Sequence, residues 1–162
     1  MIFAIHPIGI IHTPFSTLSG MPIQPSGAKG VKGTIELDKE YEQGLNDIEG
    51  FSHIILLYHF HKSKDYDLMV TPFLDTTTRG LFSTRAPRRP NPIGLSIVRV
   101  VKREGNLLTV KDIDVLDKTP LIDIKPYVPK FDIKTDTRAG WLEKSQKKAE
   151  TIASDNRFVE KE

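Results

Sequence analysis

A mainly β protein, folded as one small domain that closes into a barrel or a strongly curved sheet, is what this sequence predicts, and three observations lead there. Val, Ile, Thr and Phe dominate the stretches that look ordered, which favours pleated strands over helices. Eleven prolines and eleven glycines punctuate those stretches and keep the elements short. The 162 residues hold no internal repeat and no linker long enough to separate two domains, so many short strands share one core.

In chain order, the strands expected are 9–12, 33–37, 53–61, 79–83, 95–102, 107–115 and 121–124. Within 53–61, residues 54–58 form an almost continuous apolar run between polar residues, the pattern of a central strand buried on both faces. Ile97, Val98, Val100 and Val101, then the turn-like Arg103-Glu104-Gly105-Asn106, then Leu107, Leu108 and Val110, predict a hairpin. Helical spacing occurs twice. Over 38–48, Asp38 can act as N-cap and Tyr41, Leu45 and Ile48 share a face. Over 136–154, Trp141, Leu142, Ser145, Ala149 and Ile152 form one stripe. The expected organisation is therefore a barrel domain over 1–135 and a C-terminal helical appendage over 136–162, whose end, 156–162, frays.

Composition narrows the function. There is no cysteine, which removes disulfides, thiolate zinc sites and thiol nucleophiles. The apolar opening MIFAIHPIGIIHTPF lacks a positive n-region, contains two prolines and is too short to span a bilayer, so a soluble, cytoplasmic protein with no membrane partner is expected. Net charge is only +2, yet its distribution is uneven: residues 76–103 carry seven cations (Arg79, Arg85, Arg88, Arg89, Arg99, Lys102 and Arg103) and no Asp or Glu. Within 83–96, STRAPRRPNPIGLS, three of these arginines stand among Pro87, Pro90 and Pro92. Proline stiffens the loop and keeps the residues before it out of helix, so the guanidinium groups are presented to phosphate or carboxylate oxygens at low ordering cost.

The next stretch, DIDVLDKTPLIDIKPYVP, sets Asp112, Asp114, Asp117 and Asp123 within twelve residues. On a strand Asp112 and Asp114 share a face, where carboxylates can accept hydrogen bonds from a ribose, an amine or the arginines, or cap turns and form ion pairs. His53, His59 and His61 also fall on one side of a strand, and imidazoles are zinc ligands. Roughly 7 Å separates successive same-side positions, too wide for His53 and His61 to hold one ion, so no metal is expected. Gly27, Gly30 and Gly33 follow GxxGxxG rather than the dinucleotide fingerprint, and no G-x-S-x-G elbow is present. Neither a Rossmann-type nucleotide fold nor a serine hydrolase is indicated.

Taken together, RGLFSTRAPRRPNPIGLS, DVLDKTPLIDIKPY, GFSHIILLYHFH, the opening IGIIHTPF and PIQPSG resemble the signature segments of the TsaA-like or TrmO family, over about residues 6–130. The resemblance implies a small β-barrel, usually a homodimer, that uses S-adenosyl-L-methionine to methylate the exocyclic N6 amine of the modified adenosine just 3′ of the anticodon in tRNA. It implies cofactor contacts from Gln24, Pro25, Ser26, His61, Lys62, Arg85, Leu95, Asp112, Ile113, Asp114 and Val115. The family usually has Gly where this chain has Lys118, and often Gly where it has Ser26. An in-line displacement on a sulfonium needs donor and acceptor aligned and positive charge on the attacked amine stabilised, for which Asn91, Asp114 and Asp117 are the candidates. RNA phosphates would fall to Arg88 and Arg89, with Arg79, Arg99 and Lys118 behind them. The rival reading is a barrel-type RNA-binding module that transfers no methyl group.

Overall fold

The computed structural model describes residues 4–158. Its strands are β1 (Gly9–His12), β2 (Lys32–Leu37), β3 (His53–His59), β4 (Met69–Val70), β5 (Arg79–Gly80), β6 (Ile93–Glu104), β7 (Leu107–Lys111) and β8 (Thr119–Pro126). Six of them close into a barrel in the order β1-β2-β7-β6-β3-β8, every neighbour antiparallel, while β4 and β5 pair separately. The expected barrel is thus the observed one.

Strand alternation fills the interior. Ile54, Leu56 and Tyr58 of β3 face Val98, Ser96 and Gly94 of β6 across the register, and Ile11, Ile35, Leu108, Val110 and Leu121 complete the core. The predicted hairpin is β6–β7, turned at Gly105 (φ 61°) and Asn106. A bulge at Val101 lets the twelve-residue β6 bend from its β3 partner to its β7 partner, which closure requires. Gly94 stands directly opposite Tyr58, and a Cβ there would lie 2.2 Å from the tyrosine ring. Only glycine lets that ring lie flat across the sheet.

Several expectations are corrected. β3 is buried on its inner face alone, with Ile55 and Leu57 half-buried outside, because a closed barrel has one interior. β3 stops at His59, where the Phe60 amide turns to the Pro92 carbonyl. β7 stops at Lys111 because Asp112 adopts left-handed φ (65°). The strand expected over 79–83 is a two-residue β5 followed by a 3-10 turn, Leu81–Ser83. The helix expected over 38–48 is two 3-10 segments, Lys39–Leu45 and Ile48–Gly50, broken by left-handed Asp47 (φ 65°), and the Asp38 side chain makes no capping bond.

The C-terminal segment is likewise not one helix but the 3-10 turns Gly140–Leu142, Gln146–Glu150 and Asn156–Phe158. Gly140 is left-handed (φ 57°), and the segment's polar groups find partners in other loops instead of along an axis. Trp141 Nε1 donates to the Ser83 carbonyl at 2.8 Å, the Ser154 amide to the Met21 carbonyl at 2.7 Å, and Ala153 bridges to Pro22. The segment is a strap across the loops at one end of the barrel. Of the end expected to fray, residues 159–162 lie outside the described residues.

Candidate functional site

That end of the barrel, where β3 finishes and β6 begins, opens into a cleft of about 790 Å³. The segment around Gln24, the arginine-rich loop, the residues after β7 and the C-terminal strap all contribute to its walls. Its floor is polar. Ser96, inward-facing and 1% exposed, donates through Oγ to Asp114 Oδ1 at 2.6 Å and lies 3.0 Å from Tyr58 Oη. Asp114 sits between the core residues Ile113 and Val115, and strand-like alternation sends its carboxylate the other way, toward the cleft. Loss of water around that carboxyl pushes its pKa up to about 6, against the opposing pull of the Ser96 hydrogen bond and the Arg85 charge. Burial, with the nearby Asp114 charge, pushes the Tyr58 phenol up as well, so it stays a neutral donor.

Above the floor, Arg85 Nη1 donates to Gln24 Oε1 at 3.2 Å, joining two loops sixty-one residues apart. His61 and Lys62 come from the turn after β3, and burial, then the charges of Lys62 and His59, hold the His61 imidazole below its usual range. Leu95 and Val115 supply apolar wall. Seven of the expected cofactor residues, Gln24, His61, Lys62, Arg85, Leu95, Asp114 and Val115, therefore line one cleft.

Other expected residues stand elsewhere. Pro25 and Ser26 open the 3-10 turn Pro25–Ala28 beside Gln24, and Ile113 is fully buried in the core. Asp112 accepts from the Gly30 amide at 2.7 Å, with Arg99 at 3.9 Å. Asp117 accepts from the Thr13 amide at 3.0 Å, and Asn91 is exposed, its carbonyl turned onto the Ile93 amide. Of the three residues considered for stabilising the amine, only Asp114 reaches the cleft. Lys118 is exposed in left-handed conformation (φ 61°), the backbone state that glycine adopts without strain.

The arginines are more engaged than the loop's sequence indicates. Arg79 pairs with Asp75 at 2.7 Å, and Arg89 donates to the Thr84 and Ala86 carbonyls at 3.0 and 3.3 Å. Arg103 braces Asn46 and the Glu42 carbonyl, and Lys102 pairs with Glu104. Arg88 approaches Asp67 only to 3.8 Å. Among the described residues no three His, Asp or Glu side chains are grouped to hold a metal, and no helix is long and apolar enough to cross a membrane.

Sequence reasoning missed Tyr58, Ser96 and Trp141 as residues of this end of the barrel. For Ser96 a signal existed: it is the polar member of an otherwise apolar inward set with Val98. Trp141 carried none, because a tertiary hydrogen bond places it.

Comparison with known proteins agrees with this architecture. The family model of the tRNA-methyltransferase O N-terminal domain matches residues 10–133. A probable S-adenosyl-L-methionine-binding protein of Pyrococcus abyssi is 55% identical over 94% of this chain and 83% of its own length. The human tRNA (adenine(37)-N6)-methyltransferase is 35% identical over 78% of this chain, which spans 30% of that enzyme. The crystal structure of TrmO from Pseudomonas aeruginosa superimposes with a TM-score of 0.74 at 38% identity, covering 87% of this chain and 63% of that one. The barrel strands and the family match fall over nearly the same residues, and a solved TrmO shares the fold: the chain belongs to the TrmO family.

Proposed function

We propose that this chain is an S-adenosyl-L-methionine-dependent methyltransferase acting on the N6 amine of the adenosine 3′ of the anticodon in tRNA, and that it works as a cytoplasmic homodimer. The observation that carries the reading is the cleft itself, which joins the Asp114 carboxyl, the cations Lys62 and Arg85, the Gln24 amide and apolar walls in one place. These groups fit the cofactor's parts. Arg85 and Lys62 suit its carboxylate, the Gln24 oxygen its ammonium, and Leu95, Val115 and Phe60 its purine and methylene groups. When bound, it supplies an electrophilic methyl group whose leaving thioether needs no proton. Pro25, Ser26, Asp112 and Ile113 remain candidates as chain neighbours of Gln24 and Asp114.

Asp114 is assigned the reacting end. Its ionised carboxylate accepts a hydrogen bond from the amine, stabilises the positive charge that develops on nitrogen, and receives the proton the amine releases. Ser96 holds the carboxylate in one orientation, and Tyr58 holds Ser96. Arg88 and Lys118 are assigned to RNA phosphates, with Arg89 bracing the loop that carries Arg88 and Arg79 tied to Asp75. The dimer reading is supported by Ile93, Leu95 and Ile97, exposed in a row on the outside of β6 beside half-buried Ile55 and Leu57. Ile93 and Leu95 also line the cleft, so a second subunit on this stripe would abut the cofactor.

Calorimetric titration with S-adenosyl-L-methionine, followed by transfer of labelled methyl to tRNA, tests the proposal. Saturable binding and label in the nucleoside 3′ of the anticodon are expected. Binding of tRNA by a folded protein that takes up no cofactor would establish the RNA-binding module instead.

A further inference from the structure

We infer that Phe82, backed by Arg89 and flanked by Trp141, is the platform on which the substrate RNA stacks the base presented for methylation. The inference rests on the reading of the chain as an RNA methyltransferase and names the residues that grip that substrate. Phe82 is 73% exposed at the cleft, although the residues on either side of its turn are buried, Leu81 at 1% and Thr84 at 7%. The exposure is held rigidly. The Leu81 amide donates to the Leu68 carbonyl at 2.9 Å, and the Ser83 and Thr84 hydroxyls donate to the Gly80 and Leu81 carbonyls, each at 2.8 Å. An aromatic ring fixed in solvent loses little freedom when a flat partner covers it.

Charge defines the partner. The Arg89 guanidinium lies 5.7 Å from the Phe82 ring centroid and is locked by the Thr84 and Ala86 carbonyls, so one face of the ring carries a fixed cation. Trp141 borders the same backbone through its bond to the Ser83 carbonyl, with the Arg79 guanidinium 5.7 Å from its ring centroid. Two cation-backed aromatics at the mouth of a cleft that also holds Lys62 and Arg85 suit a π-system attached to anionic groups, which is an unstacked nucleotide of a single-stranded loop. Asp114 lines the same cleft and offers an acceptor for an exocyclic amine, the kind of group that reads a base taken out of its stack.

The test uses the full chain and an anticodon-arm hairpin with adenosine 3′ of the anticodon, beside the same hairpin abasic at that position. Phe82→Ala should weaken binding of the adenosine hairpin about ten-fold or more, while S-adenosyl-L-methionine affinity by calorimetry stays within about two-fold. The abasic hairpin should bind the wild type weakly and lose nothing further in the variant. Phe82→Trp should retain binding, and in the wild type the hairpin should quench Trp141, the single tryptophan of the chain. If removing the base costs wild type and Phe82→Ala the same affinity, the inference is overturned. A loss that falls on the cofactor overturns it too, because the ring would then serve the cofactor's purine. A wild type that binds the hairpin base-dependently yet transfers no methyl keeps the platform and removes the methyltransferase reading.

Discussion

Asp114 links burial to chemistry through its ionisation. Its folded pKa, about 6, lies above the ordinary 3.8, so between those values the folded state binds more protons than the unfolded one. The contribution to stability is therefore full at low pH, is lost as pH rises from about 4 to about 6, and is level above that. Asp114→Asn removes the penalty: denaturant titration should show the variant more stable than wild type at pH 8, by at most about 3 kcal/mol, with the difference gone near pH 4. An equal change at both pH values would show that ionisation is not the cause. Methyl transfer by the wild type should rise as pH passes about 6, when the carboxylate forms. Lys118 bears on stability in another way, since a side chain in left-handed conformation costs about 1–2 kcal/mol, partly offset by the flexibility that glycine adds to the unfolded chain. Lys118→Gly should stabilise by up to about 1 kcal/mol in the same measurement, and it should weaken RNA binding if the ammonium meets phosphate.

Elements differ in how much of their form is local. The β6–β7 hairpin is legible because its turn, Gly105-Asn106, and its flanking alternation are neighbours in sequence. The strap is not, because its stripe of Trp141, Ala149 and Ile152 fits a helix as long as no partner competes, and its partners are far off in sequence, at Ser83 and around 18–22. β3 and β6 show the tightest coupling between elements. Gly94→Ala drives a Cβ into the Tyr58 ring and must displace the tyrosine from Ser96. Thermal and denaturant unfolding should show a loss of about 1–3 kcal/mol, and cofactor affinity should fall as well, since Ser96 then holds Asp114 alone. A destabilised variant with wild-type affinity would show that Tyr58 supports the fold and not the cleft.

The whole molecule presents an apolar stripe outside β6 that nothing among the described residues covers. Ile97→Glu places a charge in it, outside the cleft lining, and should yield a folded monomer by sedimentation at concentrations where wild type is a dimer. A wild type that sediments as a monomer would remove the dimer. The barrel class, the hairpin and the placing of Arg85 and Asp114 in distinctive motifs are properties of the sequence itself, because alternation, turn chemistry and charge clustering act over a few residues. Tertiary structure alone decided which cations stay available. Residues 76–103 contain no acid, yet Asp75, Asp67 and Asp112 approach Arg79, Arg88 and Arg99 from outside that segment. It also turned Ser96 and Tyr58 into the support of Asp114. Closing a barrel brings β3, β6 and the residues after β7 to one rim, and hydrogen bonds and charge pairs depend on distance in space, not on separation along the chain.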